Sequence, residues 1–74
     1  MQKAPTERYL VLRVPSVGPK ALAGHPNDFA DLERAEARLH EIMTSQLLPH
    51  HTHIEIAAYS GDKFAFMDRE GILF

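Results

Sequence analysis

The sequence predicts a small α+β domain: three or four short, mostly antiparallel strands with one amphipathic helix packed on one face of the sheet. Three observations lead to this fold class. The chain has 74 residues, a length that fits one domain. Apolar residues alternate near both ends of the chain, as they do in strands. Between these stretches they recur every three or four positions, as they do along one face of a helix.

Residues 1–7 are polar and contain Pro5, so we expect a flexible terminus there and a single domain over residues 8–74. A first strand is predicted where "RYLVLRV" alternates. Pro15 ends it, because a proline offers no backbone N–H to a strand ladder. The two faces of this strand carry Leu10, Leu12 and Val14 on one side and Tyr9, Val11 and Arg13 on the other.

The link over residues 15–27 is rich in proline and glycine, which interrupts regular structure. Its segment "KALA" is compatible with a short edge strand. The sequence does not decide whether that strand forms, so the count stays at three or four.

The clearest predicted element is a helix from Asp28 to about Gln46. Asn27 or Asp28 can cap it, because a short acceptor side chain satisfies a free backbone N–H in the first turn. Charged residues on the outer face, Arg38 among them, form ordinary surface pairs. We therefore expect Arg38→Ala to change stability by no more than about 0.5 kcal/mol. The apolar stripe consists of Phe29, Leu32, Ala35, Leu39, Ile42 and Met43.

After Pro49 the apolar period changes to two, which predicts a second long strand. "SGD" then predicts a tight hairpin turn, since Gly61 tolerates a positive φ. "KFAFMD" follows as the predicted partner strand. The predicted inward side chains are Ile54, Ile56, Ala58, Phe64 and Phe66, and the outward ones are His51, His53, Glu55, Ala57, Tyr59, Lys63, Ala65 and Met67.

Composition argues against several classes of protein. The chain has no cysteine, so a disulfide framework and a thiolate zinc finger are excluded. Its formal net charge is −2 and its basic residues are dispersed, which disfavours a broad grip on nucleic acid. No apolar run approaches the roughly 20 residues that span a membrane, and the start lacks the apolar region of a secretory signal. We expect a cytoplasmic protein.

Three histidines, His50, His51 and His53, stand just before the second strand. On a strand, His51, His53 and Glu55 share a face, which is compatible with a metal site. Zinc sites usually draw ligands from two elements, and no second ligand cluster is evident in the sequence. The pattern favours polar residues on a solvent-facing strand, without a metal or another cofactor.

Enzymatic activity is not expected. Glu36 and His40 lie four residues apart on the predicted helix, and such a pair can transfer protons when it lines a cleft. A domain this small is not expected to enclose the pocket that catalysis needs. The sequence also lacks a glycine-rich phosphate loop, an HExxH motif and an EF-hand loop.

The outward sheet face predicts a binding surface. It is mildly apolar with a polar rim, a composition typical of protein contacts, and the partner is another protein or a second copy of the chain. The alternative is a nucleic-acid-contacting regulator, in which tyrosines and Arg13 stack on bases; a histidine metal site is the third hypothesis. The predicted contact residues are Tyr9, Val11, Arg13, His51, His53, Glu55, Tyr59 and Met67.

In size and layout the chain resembles the accessory proteins that phages and mobile elements encode, among them inhibitors of host defence such as anti-CRISPR proteins. This resemblance covers the general plan of the chain rather than a motif. It implies a non-enzymatic module that binds a larger host complex and inhibits it.

Overall fold

A computed structural model of the chain describes residues 7–49 and 51–73. It confirms the α+β class and the four-stranded, mostly antiparallel sheet, and it adds a second helix where the sequence predicts a strand. Neither of the helices in the described ranges is long and apolar enough to cross a membrane. In chain order, the elements are β1 (Glu7–Val14), β2 (Ala21–Leu22), β3 (Asp28–Phe29), α1 (Leu32–Ser45), β4 (His53–Ser60) and α2 (Lys63–Glu70).

Strand β1 is the centre of the sheet. It pairs with β4 along its whole length, from Glu7 opposite Ser60 to Val14 opposite His53. Its other edge is shared by two strands of two residues each: β3 pairs near the start of β1 and β2 near its end. "KALA" therefore does contain a short strand. Glu7, expected in the flexible terminus, is the first residue of β1, and residues 1–6 lie outside the described ranges.

Both faces of the sheet are covered. On the face under α1, which we call the α1 face, the buried cluster is Val11, Ala23, Ala35, Ile42 and Ile54. On the opposite face, the α2 face, the buried cluster is Leu10, Leu12, Tyr59, Met67 and Ile72. Because successive residues of a strand point to opposite faces, β1 contributes to both clusters, and it has three consecutive buried residues.

Helix α1 begins later than predicted. Asp31 is its N-cap, with its side chain accepting a hydrogen bond from the Glu33 backbone N–H at 3.1 Å. Asp28 and Phe29 are not helical but pair with β1 as β3. The predicted stripe fails at its ends, since Leu32 and Met43 are exposed. Ala35, Leu39 and Ile42 remain its inward positions.

The predicted second hairpin strand is wrong, because residues 63–70 form helix α2. Asp62 caps it by accepting hydrogen bonds from the backbone N–H groups of Phe64 and Ala65 at 2.9 and 3.3 Å. Gly71, at φ 70°, ends it in a left-handed turn in which the Ile72 N–H donates to the Met67 carbonyl. The helical period inverts two of the predicted orientations, since Met67 is fully buried and Phe64 is 58% exposed. Phe66 packs inward, as predicted.

Candidate protein-binding site

The eight predicted contact residues do not form one surface. Tyr9, Val11 and Arg13 pair with β4 residues of the α1 face, whereas Tyr59 lies in the buried cluster of the α2 face. Val11, Tyr59 and Met67 are buried, because α1 and α2 cover both sides of the sheet. The open sheet face that the sequence predicts is therefore wrong. His51, His53 and Arg13 remain exposed, and Glu55 is half-buried.

Tyr59 is held inside a polar cluster that joins the strands to α2. Its hydroxyl donates to Asp28 Oδ2 at 2.9 Å, and Arg8 Nε donates to Asp28 Oδ1 at 3.0 Å. Lys63 Nζ lies 3.7 Å from Asp28 Oδ2. Burial, followed by the hydrogen bond to Asp28, raises the pKa of Tyr59. The hydrogen bond to Asp28 also raises the pKa of Arg8. The Asp28 carboxylate thus links β3 with β1, β4 and α2.

The histidine segment holds a small exposed network. His53 Nε2 lies 2.7 Å from Glu55 Oε2, and Lys20 Nζ lies 3.5 Å from Glu55 Oε1. The hydrogen bond from His53 and then the charge of Lys20 lower the pKa of Glu55, against the effect of burial. His51 has a positive φ of 64°, and His50 lies outside the described residues. Within residues 7–49 and 51–73, no three potential ligands converge on a metal position.

A groove separates the link from α1. We call it the link–helix groove; its volume is about 310 Å³. The link contributes Pro26, whose peptide bond with His25 is cis. Apolar surface comes from Pro26, Phe29 and Ala37, and charged groups come from the outer face of α1. The residues that line the groove are Pro26, Phe29, Arg34, Ala37, Arg38 and Glu41.

Arg38 builds one side of this groove. Its guanidinium donates to the backbone carbonyl oxygens of Gly24, His25 and Pro26 at 3.1, 3.3 and 3.1 Å, and also to Glu41 Oε1. Its side chain is only 14% exposed. The pair with Glu41 agrees with the sequence interpretation. The three carbonyl bonds do not, because they make Arg38 the residue that fastens the link to α1.

Arg34 is the other cation of the groove, and it is available to a ligand. It is exposed, and no described residue forms a hydrogen bond or an ion pair with its side chain. The carboxylate of Glu41 is paired with Arg38. The groove thus combines an apolar surface, a fixed guanidinium and a guanidinium that no described residue pairs with. This arrangement can bind an apolar side chain next to a carboxylate.

Sequence reasoning missed this site because nothing in the pattern shows that the link folds back onto α1. The suggested proton-transfer pair does not contribute, since Glu36 and His40 are exposed and neither lines the groove. Tyr9 and Tyr59 do not form a base-stacking platform, because they lie on opposite faces of the sheet. Comparison of the chain with family models, with curated proteins and with solved structures found no match.

Proposed function

We propose that this chain is a non-enzymatic, cytoplasmic protein-binding module that holds a segment of its partner in the link–helix groove. The observation that carries the proposal is Arg34, an exposed cation beside an apolar cleft that forms no ion pair with any described residue. Arginine and aromatic residues, phenylalanine included, are enriched in protein interfaces. Phe29 and Arg34 supply both types within one groove.

The groove also indicates the chemistry of the partner segment. A volume of about 310 Å³ is at the small end of ligand pockets, which suits one or two side chains of a peptide. Pro26, Phe29 and Ala37 match an aromatic or large aliphatic side chain. Arg34 matches an adjacent aspartate or glutamate, because a guanidinium and a carboxylate form two charge-assisted hydrogen bonds.

The groove is formed before the partner arrives. Arg38 holds the link in place through three backbone carbonyls, so binding does not have to order that segment. Such preorganisation increases affinity, because less conformational freedom is lost in the complex. The resemblance to phage-encoded inhibitors extends the proposal. On that basis the partner is a host complex, and the module inhibits this complex by covering a surface that the complex needs for its activity.

The proposal is tested with a short peptide in which one phenylalanine is flanked by glutamates. We expect it to shift the backbone amide resonances of Phe29, Arg34 and Ala37 in a nuclear magnetic resonance titration. Arg34→Ala should weaken binding at least about tenfold, since a hydrogen bond to a charged group contributes about 1.5–3 kcal/mol. A peptide with glutamines in place of the glutamates should bind the unmodified protein about as weakly as the glutamate peptide binds Arg34→Ala.

Arg13→Ala is the matched control. Arg13 is also exposed and without an ion pair to any described residue, but it lies at the end of β1 rather than in the groove. Its loss should leave the affinity unchanged. Equal weakening by both arginine variants would show a non-specific charge effect, and the absence of any binding would refute the proposal. Salt-sensitive retention of an oligonucleotide, with no peptide binding, would favour the nucleic-acid alternative instead.

A further inference from the structure

Strand β4 has one edge that pairs with no strand in the part of the chain that the structure describes. All eight of its residues pair with β1 on one side. On its other side, no strand of residues 7–49 or 51–73 pairs with it. In an antiparallel ladder, alternate residues direct their backbone N–H and C=O groups away from the partner strand. β4 therefore presents a row of donors and acceptors along its outer edge.

Among the described residues, this edge has few of the features that usually prevent edge-to-edge association. Natural edge strands are short, or they carry lysine, proline or a bulge. β4 is long, contains neither lysine nor proline, and keeps an uninterrupted register with β1. The opposite edge of the sheet differs in length and continuity: its strands β2 and β3 have two residues each, and Leu73 forms a bridge beside β2.

We infer that the outer edge of β4 is a self-association site, on which a second copy of this chain pairs its own β4 in the antiparallel direction. The two-fold axis stands perpendicular to the sheet, so the two sheets join into one. The helices α1 of both copies then lie over one face and the helices α2 over the other. Such an interface uses the same surface of both copies and closes at the dimer.

The side chains of β4 favour a second copy over a foreign segment. A foreign charged strand would need an unpaired charge to select it, but Glu55 is already paired with Lys20 and His53 of its own chain. In a register centred on Ile56 or Ala57, each Glu55 faces Ala57 or Tyr59 of the other copy. Like charges are therefore not opposed, a condition for stable cross-strand pairs.

The proposed dimer and the link–helix groove use different parts of the molecule. The groove is lined by Phe29 of β3 and by α1, and β3 lies on the other side of β1 from β4. Each copy can therefore keep its groove open. The inference does not rest on the proposed function, and either can fail without the other.

Sedimentation equilibrium of the full chain tests the inference, with Ala58→Lys as the disrupting variant. Ala58 is exposed on β4, so the monomer can accommodate a lysine there, whereas in the paired edge that lysine would lie opposite Ile54 or Ile56 of the other copy and lose hydration. We expect a concentration-dependent dimer and at least about a tenfold weaker association in Ala58→Lys, equivalent to about 1.4 kcal/mol. Ala30→Lys is the matched control, since Ala30 is exposed just after β3; it should dimerise normally.

Hydrogen exchange of the unmodified chain gives a second readout that needs no variant. Dimerisation should protect the β4 amides that point away from β1, and dilution should release them. A chain that stays monomeric, with these amides exchanging rapidly at every concentration, would overturn the inference. A dimer that Ala58→Lys leaves intact would overturn it equally. Titrating the Ala58→Lys monomer with the peptide tests binding in the link–helix groove without any contribution from dimerisation.

Discussion

Each face of the sheet has a buried apolar cluster covered by a helix, but only one of the two arrangements can be predicted from the sequence. On the α1 face, Ala35, Leu39 and Ile42 pack from a helix of 14 residues. On the α2 face, Met67 packs from a helix of eight residues. Sequence reasoning places the first helix on its sheet face and misreads the second as a strand. The difference shows that the length of a periodic segment decides how well its period can be recognised.

Two turns of helix are too short for the apolar period to be decisive. In "KFAFMD", Phe64 and Phe66 alternate as in a strand, while Phe64 and Met67 are spaced as in a helix. The end residues carry the better information. Asp62 can cap a helix, and Gly71 stands where an eight-residue helix would end. Together they distinguish helix from hairpin in a segment where hydrophobic spacing does not.

The largest expected effects compare the two faces directly. Met67→Ala and Ile42→Ala should each lower the free energy of unfolding by about 2–5 kcal/mol, because both remove a fully buried side chain and leave a cavity. Urea melts monitored by circular dichroism measure both. Comparable losses would show that both faces are true cores.

Phe64→Ala is the control for this pair. Phe64 is exposed on α2, so its truncation should cost clearly less than that of Met67, although Phe64 is the larger side chain. The reverse order, with Phe64→Ala more damaging than Met67→Ala, would restore the hairpin interpretation.

The next effect concerns the link that leads to the α1 face. Arg38→Ala should destabilise the fold by about 1–2 kcal/mol, since it leaves three backbone carbonyls and Glu41 without their donor. This replaces the much smaller change expected from the sequence. Arg34→Ala, four residues earlier on α1, should stay within about 0.5 kcal/mol. Equal values in thermal or urea unfolding would show that Arg38 does not fasten the link.

A smaller effect is expected at the polar end of the α2 face. Tyr59→Phe removes the hydrogen bond to Asp28 and should cost about 0.5–1.5 kcal/mol. Because the folded pKa of Tyr59 is raised, this contribution is complete below the unfolded pKa of about 10 and is lost as pH rises through the folded pKa. The wild-type advantage over Tyr59→Phe should therefore shrink in urea melts at alkaline pH. A constant difference across that range would contradict the role of this hydrogen bond.

The sequence is informative where one strong pattern acts alone. Alternation predicts β1 and β4, and the three-to-four spacing predicts the middle of α1. It fails where tertiary contacts decide between local alternatives. Asp28 is a suitable helix cap, but Arg8 and Tyr59 bind its carboxylate from distant parts of the chain, and β3 forms there instead. The link–helix groove could not be predicted for the same reason, since Arg38 reaches carbonyls more than ten residues away.

At the histidine end of β4, we expect zinc to have no effect on stability. Zinc added to metal-free protein should leave the melting temperature unchanged, because we expect no zinc site. A ligand that binds only the folded state would raise that temperature. His53 is instead paired with Glu55, near the edge of the α2 face. A clear rise that disappears in a His51→Ala, His53→Ala double variant would establish a metal site.

With the link–helix groove and the edge of β4 as the proposed binding sites, the central claim is that α2 closes the second face of the sheet and buries Tyr59 and Met67 of the predicted contact residues. Nuclear Overhauser effects from the Met67 methyl group test it most directly. The account predicts cross-peaks to the buried side chains of the α2 face, Leu10 and Leu12 among them, with sequential amide contacts along residues 63–70. Cross-strand contacts between residues 54–59 and 63–68, with Met67 free of contacts to the core, would contradict it.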